Sequence, residues 1–457
     1  MTFRLCVFIA FVLICATVVP RPAGAALADQ PGPETNDSTH QPDASSPESP
    51  DRPETEEFKE ALTLKQALSM AFKKNPGLSS YSWEVRAREG RTSQAGALPN
   101  PEFELSIDNF WGSRELRGFD SAEYTLAVSQ LVELGGKRAK RAIAAGIDRD
   151  LAGWDYEAKK LDLLSEVTKA FIDVIAEQER LNVTEELYGL AEQSLNTVSA
   201  RVQAGKVSPI EETRAAAELS KAKIELERAK RSLEAARKRL STAIGSPAPF
   251  FEKAGGQLDL AADIPPYEQF VQNINRNPDI ARWSTEVDQR KAALNLERAN
   301  RIPDPSVSIG VKRFRETEAS ALVAGISFPL PLFNRNSGAV AEAESRLWKA
   351  EEEQKAALLK THTAATEVYL ALSSAFVEAA ALKKSVLPGL QSAFEAVQEG
   401  YRYGKFGYLE MLDAQRSLSE SKKQYIESVA AYTKATADME RLTGADPGKY
   451  SFNATNK

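Results

Sequence analysis

The chain has 457 residues, enough for two or three ordinary domains or for one large elongated assembly. Its 64 acidic residues outnumber 58 basic ones, and a net charge of −6 argues against a nucleic-acid-binding protein. With only two histidines and two cysteines, and with no nucleophile-and-base motif or phosphate-binding Gly loop, the sequence predicts neither an enzyme nor a bound cofactor or metal.

The first 28 residues have the order of a secretory signal peptide. Arg4 supplies the basic start, residues 7–19 form the apolar run, and A-x-A cleavage motifs close the segment. The run is shorter than the ~18 to 20 residues of a spanning helix, so cleavage is favoured over a membrane anchor. Both cysteines, Cys6 and Cys15, fall in this segment, and lipid attachment to Cys15 is the alternative use of the signal.

The rest of the chain divides into linkers and two similar halves. Residues 29–60 are rich in Pro, Ser, Asp and Glu and have few large apolar side chains, which predicts a disordered linker. The halves are predicted to cover residues 61–245 and 265–444. Residues 246–264 join them, and residues 445–457 form a C-terminal tail.

The two halves share landmarks that recur in the same order. Their spacings, 199 to 204 residues, are nearly constant, which predicts an internal duplication. The landmark pairs are Asn75-Pro76 and Asn277-Pro278, Leu98-Pro99-Asn100-Pro101 and Ile302-Pro303-Asp304-Pro305, Gly205 and Gly404, and Gly245 and Gly444.

Each half contains one predicted β-hairpin, at residues 101–133 and 305–330. Apolar and polar residues alternate there, as they do in strands with two different faces. The alternating apolar residues are Phe103, Leu105, Ile107, Tyr124, Leu126, Val128, Val307, Ile309, Val311, Leu322, Ala324, Ile326 and Phe328. In an exported protein this pattern is typical of a transmembrane barrel, and a periplasmic sheet with one wet face is the alternative.

A long helix is predicted in each half. The stretch from Lys137 to about Gln203 has no proline, and its apolar residues recur at spacings of three, four and seven. The counterpart runs from about Ala339 to Tyr401 and contains Pro388-Gly389, where a kink or bulge is predicted. At ~1.5 Å per residue such helices span roughly 100 Å. Each then reverses at a glycine turn into a second helix, giving an antiparallel helical hairpin per half.

Four strands per chain cannot close a barrel, and open sheet edges are not tolerated in hydrocarbon. The predicted barrel must therefore be shared between chains. Two chains would give about eight strands, whose interior is filled by side chains, whereas three would give about twelve and leave room for a pore. A transport function favours three.

These motifs resemble the TolC-type outer-membrane factors, and within them the CzcC-like branch associated with cation efflux. The resemblance covers roughly residues 62–444. It is carried by Leu62-Thr63-Leu64-Lys65-Gln66-Ala67-Leu68, by the Asn-Pro and Pro-x-Pro landmarks, by Glu133-Leu134-Gly135-Gly136-Lys137-Arg138, and by Tyr401-Arg402-Tyr403-Gly404 with Leu409-Glu410-Met411-Leu412-Asp413-Ala414-Gln415.

The resemblance implies a mainly α fold with a membrane β-barrel. Long coiled-coil helices would form a trimeric α-barrel, and four strands per chain would contribute to a shared 12-stranded β-barrel. An equatorial belt, to which residues 246–264 and 445–457 would belong, is implied near the middle of the helices.

The function implied by the resemblance is that of an outer-membrane channel subunit of a tripartite efflux system. The homotrimer would lie in outer-membrane lipid with its helical barrel in the periplasm. It would receive heavy-metal cations from an inner-membrane RND-type pump through a periplasmic adaptor protein. A multidrug or type I secretion duct is one alternative, and a periplasmic coiled-coil structural or adaptor protein is another.

The resemblance places adaptor contacts at the tips of the two helical hairpins. Each tip glycine lets the backbone turn and be approached closely, although a plain helix turn would need the same residue. The tip residues are Gly205, Lys206, Val207, Ser208, Gly404, Lys405, Phe406, Gly407, Tyr408 and Leu409.

Glu410 and Asp413 lie three residues apart, so a helix would place them on one face. The resemblance assigns them to the periplasmic constriction, where threefold symmetry would make each a ring of carboxylates that favours cations. A solvated helix face is the alternative.

Overall fold

The structure is a computed structural model that describes residues 61–260, 264, 266–274 and 277–444. The predicted signal peptide (1–28), linker (29–60) and C-terminal tail (445–457) lie outside the described residues. The first half contains α1 (Leu64–Lys74), α2 (Pro76–Ala95), β1 (Glu102–Asp108), β2 (Glu123–Leu131), α3 (Lys137–Gln203) and α4 (Pro209–Ile244). The second half contains α5 (Tyr267–Ile274), α6 (Pro278–Ala299), β3 (Ser306–Phe314), β4 (Ser320–Ser327), α7 (Ser337–Ala381), α8 (Leu387–Arg402) and α9 (Tyr408–Thr443).

The same order of elements thus occurs twice, and the Asn-Pro landmark has the same role in each half. Asn75 caps α2 by accepting a hydrogen bond from the Leu78 N–H at 3.1 Å, and its amide donates to the Ala243 carbonyl at the end of α4. Asn277 caps α6 and donates to the carbonyls of Arg441 and Leu442 near the end of α9. Each Asn therefore joins the start of one helix to the end of another.

The four strands form one antiparallel sheet in the order β1-β2-β3-β4. The pairing of β2 with β3, in which Val128 lies opposite Ile309, joins the hairpins of the two halves. The register of all three pairs places the predicted apolar side chains on one face of the sheet, where most are exposed. The other face is mainly polar or small, and it includes Glu104, Ser106, Asp108, Thr125, Ser129, Ser308, Gly310, Lys312, Gly325 and Ser327.

The long helices match their predicted limits. Helix α3 extends over 67 residues, from Lys137 to Gln203, as predicted. Its counterpart is divided by a π-helical turn at Leu382–Val386, directly before Pro388. Proline has no N–H to donate to the preceding turn, and its ring clashes with the carbonyl four residues earlier in a regular α-helix. The wider π-helical turn relieves this clash. The predicted kink or bulge at Pro388 is therefore confirmed.

Each helical hairpin is held by an apolar core of its own. Phe171 and Ile175 of α3 pack with Leu240 of α4 and with Phe250 and Phe251 of the segment that follows α4. This segment also binds the residues just before α1, since the Leu62 N–H donates to the Lys253 carbonyl at 2.8 Å and the Leu62 carbonyl accepts from the Gly255 N–H. In the second half, Phe270, Ile274, Leu372 and Tyr432 join α5, α7 and α9.

Candidate functional site

Both helical hairpins turn at a glycine in the left-handed region. Gly205 has φ 67°, and the Lys206 N–H donates to the Arg201 carbonyl at 2.9 Å. Gly404 has φ 74°, and the Lys405 N–H donates to the Gly400 carbonyl at 2.8 Å. These bonds satisfy carbonyls at the ends of the long helices, and a side chain at either glycine would be strained.

The two tips are packed against each other by one small core. It consists of buried side chains from all four helices of the hairpins: Val198, Ala215, Tyr401, Tyr408 and Met411. The Arg201 guanidinium lies 4.5 Å from the centre of the Tyr401 ring, and its Nη1 donates to the Tyr401 carbonyl at 3.1 Å. The turns at Gly205 and Gly404, which the sequence places 199 residues apart, therefore lie side by side in one packed unit.

The predicted tip residues differ in their exposure. Tyr408 is only 3% exposed, so its side chain belongs to the tip core and is not available at the surface of this chain. Val207 is half-buried, and Ser208 caps α4 by accepting a hydrogen bond from the Ile210 N–H. Phe406 and Leu409 are exposed apolar side chains, and Lys206 and Lys405 are exposed cations.

Two exposed apolar residues at the tips, Tyr403 and Ile210, were not predicted as contact residues. Each is within five residues of a tip glycine, and this closeness is the signal that could have identified them. A patch of exposed aromatic and aliphatic side chains beside a rigid turn is able to receive a partner helix.

The Phe406 ring occupies the space that a side chain at position 400 would fill, and only glycine leaves this space open. A Cβ atom added to Gly400 would lie 2.3 Å from Cδ2 of Phe406. The ring therefore packs directly on the α8 backbone, and Phe406 remains 41% exposed.

The two predicted constriction residues have different local environments. The Glu410 carboxylate accepts a hydrogen bond from the Gly407 N–H at 2.5 Å and so caps the start of α9. A Glu three residues after an N-cap position is a recognisable sequence signal for this bond. Asp413, one turn later, is exposed, and it has no ion pair with any residue that the structure describes.

Behind the tips, a ladder of ion pairs joins α9 to α3. The pairs are antiparallel along the two helices: Glu186 with Lys422, Arg180 with Glu427, Asp173 with Lys434, Lys169 with Asp438, and Asp162 with Arg441. Arg441 is the most buried of these cations, and it also binds Asp279 of α6 at 2.7 Å.

A further ion pair, Glu218 with Arg416, joins α4 to α9 closer to the tips. Desolvation by burial favours the neutral form of Glu218, but hydrogen bonds from Arg416 and Lys221 outweigh it and lower the pKa of the carboxyl below its ordinary value. Glu218 is therefore charged at neutral pH.

The described part of the chain contains no group of three or more His, Cys, Asp or Glu side chains placed to hold a metal ion. Length and composition would allow the helical stretch Ser337–Arg402 to cross a membrane, and no other stretch among the described residues passes this test.

The chain matches the family described as outer membrane efflux protein over residues 67–246 and 271–445. It is 33% identical to the cobalt-zinc-cadmium resistance protein CzcC of Cupriavidus metallidurans over 383 residues, which are 84% of this chain and 90% of CzcC. It is 29% identical to the nickel and cobalt resistance protein CnrC of the same organism, over 66% of this chain and 70% of CnrC.

The fold is also that of solved outer-membrane channels. The structure superposes on the Campylobacter jejuni CmeC outer membrane channel with a TM-score of 0.72 at 17% identity, over 83% of this chain and 85% of CmeC. The family is one of export channels and not of enzymes. With its two repeats, its amphipathic four-stranded sheet and its long helical hairpins, the chain belongs to the outer membrane efflux protein family, as an outer-membrane channel subunit of the CzcC-like branch.

Proposed function

We propose that the protein is a homotrimeric duct that passes heavy-metal cations out of the cell, with no catalytic role. The strands of three copies form one barrel in outer-membrane lipid, and the helices form a second barrel in the periplasm. The choice of heavy-metal cations as the transported substrate is supported by the 33% identity to a cobalt-zinc-cadmium resistance protein over most of both chains.

The homotrimer is supported by apolar surface that a single chain leaves exposed. One face of the sheet is apolar, as expected for a surface in contact with lipid. On α7, the large apolar side chains Trp348, Leu359, Leu370 and Val377 are exposed. Contact with neighbouring copies would bury these side chains and stabilise the assembly.

The tips are proposed to bind a periplasmic adaptor protein, which connects the duct to an inner-membrane pump. Phe406, Leu409, Tyr403 and Ile210 supply exposed apolar surface on a rigid core, and Lys206 and Lys405 add positive charge beside it. A helical hairpin of the adaptor with apolar side chains at its own tip would fit this surface.

Asp413 is proposed as the main carboxylate of the periplasmic constriction. Its exposure and its lack of an ion pair among the described residues leave its charge available to passing cations. Glu410 contributes less to the pore because its carboxylate is hydrogen-bonded to the α9 backbone.

The cargo is tested by deleting the gene and measuring growth on cobalt, zinc and cadmium salts and on a panel of drugs. We expect metal sensitivity that the intact gene reverses. Sensitivity to drugs with unchanged metal tolerance would contradict the cargo and indicate a multidrug duct. Recovery of the protein as a soluble periplasmic monomer would contradict the duct itself.

The constriction is tested by conductance measurements in planar bilayers. Asp413→Asn is expected to reduce the preference for cations because it removes three carboxylates from one ring. Glu410→Gln is expected to change selectivity less, since this variant retains an oxygen that can cap α9. Equal selectivity of Asp413→Asn and the natural protein would remove Asp413 from the constriction.

A further inference from the structure

We infer that β4 of one copy pairs antiparallel with β1 of a second copy in a single register, with Ile326 opposite Leu105 of the second copy. The inference rests on the proposed function, because a shared barrel is what brings a second copy to the sheet edge. It goes further by deriving the strand pairing between copies, called the joint between copies below, from the pairing of β2 with β3 within one chain, called the joint within one chain.

The first step is the equivalence of residues in the two hairpins. The Pro-x-Pro landmarks are 204 residues apart, which makes Phe103 of β1 equivalent to Val307 of β3. Phe103 pairs with Val128 in the first hairpin, and Val307 pairs with Ile326 in the second. Val128 and Ile326 therefore occupy equivalent positions on β2 and β4.

The second step transfers the pairing of β2 with β3, in which Val128 lies opposite Ile309. The equivalent of Val128 is Ile326, and the equivalent of Ile309, at the spacing of 204, is Leu105. The joint between copies thus places Ile326 opposite Leu105. Both side chains point to the apolar face, whereas a slip of one residue would turn one strand's apolar side chains toward the polar face.

The third step is the exposure of these edges. Ile326 and Leu105 are 73% and 59% exposed, while their equivalents inside the sheet, Val128 and Ile309, are 42% and 46% exposed. No described residue pairs with the outer edge of β1 or of β4.

Below the strands, the joint within one chain continues into the start of α3. The Val132 N–H donates to the Pro305 carbonyl at 2.9 Å, which extends the ladder beyond β2. The Leu134 N–H donates to Asp304 Oδ1 at 2.8 Å, and Lys137 Nζ donates to Asp304 Oδ2 at 2.6 Å. Asp304 therefore connects the second half to the first through one backbone group and one buried cation.

The equivalent joint between copies has a different chemistry. Gly136 and Asn336 precede α3 and α7 with φ of 68° and 54°, which aligns Asn334 with Leu134 and Ser337 with Lys137. The Pro-x-Pro landmark aligns Asn100 with Asp304. The amide of Asn100 of the second copy would accept a hydrogen bond from the Asn334 N–H, with no buried charge pair. Ionic and neutral joints thus alternate around the duct.

The test uses pairs of cysteines on the polar face, where an oxidant in the pore can reach them. Ser327→Cys with Glu104→Cys are directly opposite in the inferred register. We expect this pair to give at least about fivefold more covalently linked oligomer on denaturing gels than Ser327→Cys with Glu102→Cys or with Ser106→Cys, because diagonal positions exceed the reach of a disulfide.

The controls separate failure of the register from failure of the duct. The unsubstituted chain, whose only cysteines are Cys6 and Cys15, sets the background, and Ser129→Cys with Ser308→Cys reports the joint within one chain by loss of free thiol. A trimer that exports metal but links most strongly through Glu102→Cys or Ser106→Cys, or through no pair, would overturn the register and leave the duct intact. Absence of any oligomer of the unsubstituted chain would overturn both.

A second variant tests the neutral joint without cysteines. Asn100→Ala is expected to lower the temperature at which the trimer separates into monomers in detergent, while the secondary structure of the monomers stays the same. An unchanged dissociation temperature would exclude a bond from Asn100 to a second copy.

Discussion

The packing of Phe406 on Gly400 gives a prediction at the scale of one residue. Alanine normally stabilises a helix interior by about 1 kcal/mol relative to glycine, but a Cβ atom at Gly400 would meet the Phe406 ring at 2.3 Å. We expect Gly400→Ala to displace the ring and to weaken the binding of the proposed periplasmic adaptor protein, measured by calorimetry. Gly389→Ala in the same helix, where a Cβ atom meets nothing within 4 Å, is the matched control and should bind normally.

The titration of Glu218 gives a second prediction at this scale. Its pKa lies below the ordinary value of 4.5, so the stability that it contributes is present at neutral pH and is lost as the pH falls through the pKa of the folded state. Glu218→Gln should therefore lower the melting temperature at pH 7, measured by circular dichroism, and lower it less at pH ~3.5. An equal decrease at both pH values would assign the effect to packing.

At the scale of helices, the ion-pair ladder between α3 and α9 is expected to depend mainly on its buried end. Arg441 uses separate nitrogens to bind Asp162 at 2.6 Å and Asp279 at 2.7 Å. Lysine has a single side-chain nitrogen and cannot bind both carboxylates in this geometry, so Arg441→Lys should lower the melting temperature by several degrees. Lys422→Gln, in an exposed pair, should change the free energy of unfolding by less than about 1 kcal/mol. Equal effects of both variants would contradict the importance of burial.

At the scale of the whole molecule, the two faces of the sheet should respond oppositely to the same substitution. Ile309 points to the apolar face, and Ser308 points to the polar face. A lysine on the lipid face of a barrel costs about 2–4 kcal/mol near the middle of the bilayer. Ile309→Lys should therefore reduce the heat-stable oligomer in outer-membrane fractions, and Ser308→Lys should not. Normal assembly of Ile309→Lys would place this face away from lipid.

Much of the architecture could be predicted because its signals are local. Alternation of apolar and polar residues indicated the strands, and an unbroken helical period indicated α3 to within a residue of its observed ends. Pro388 and the glycines at 205 and 404 mark the break and the turns, since they restrict or permit backbone angles regardless of their surroundings.

The roles of individual site residues were harder to predict. Tyr408 resembles an exposed tip residue in the sequence, but four helices meet around its ring and bury it. The role of Glu410 as a pore carboxylate stays a prediction, and the structure adds a hydrogen bond that its carboxylate accepts from the backbone at the start of α9. Arg201 and Tyr401 are 200 residues apart, so no local sequence pattern predicts the contact between their side chains.

The sequence by itself determined the elements of this protein, their order and their duplication, because each depends on periodicity and on residues that act within a few positions of themselves. The tertiary structure alone decided which side chains of those elements are covered, and it joined the two hairpins into one sheet through β2 and β3. Burial and ion pairing depend on contacts between segments hundreds of residues apart, and only the folded chain brings those segments together.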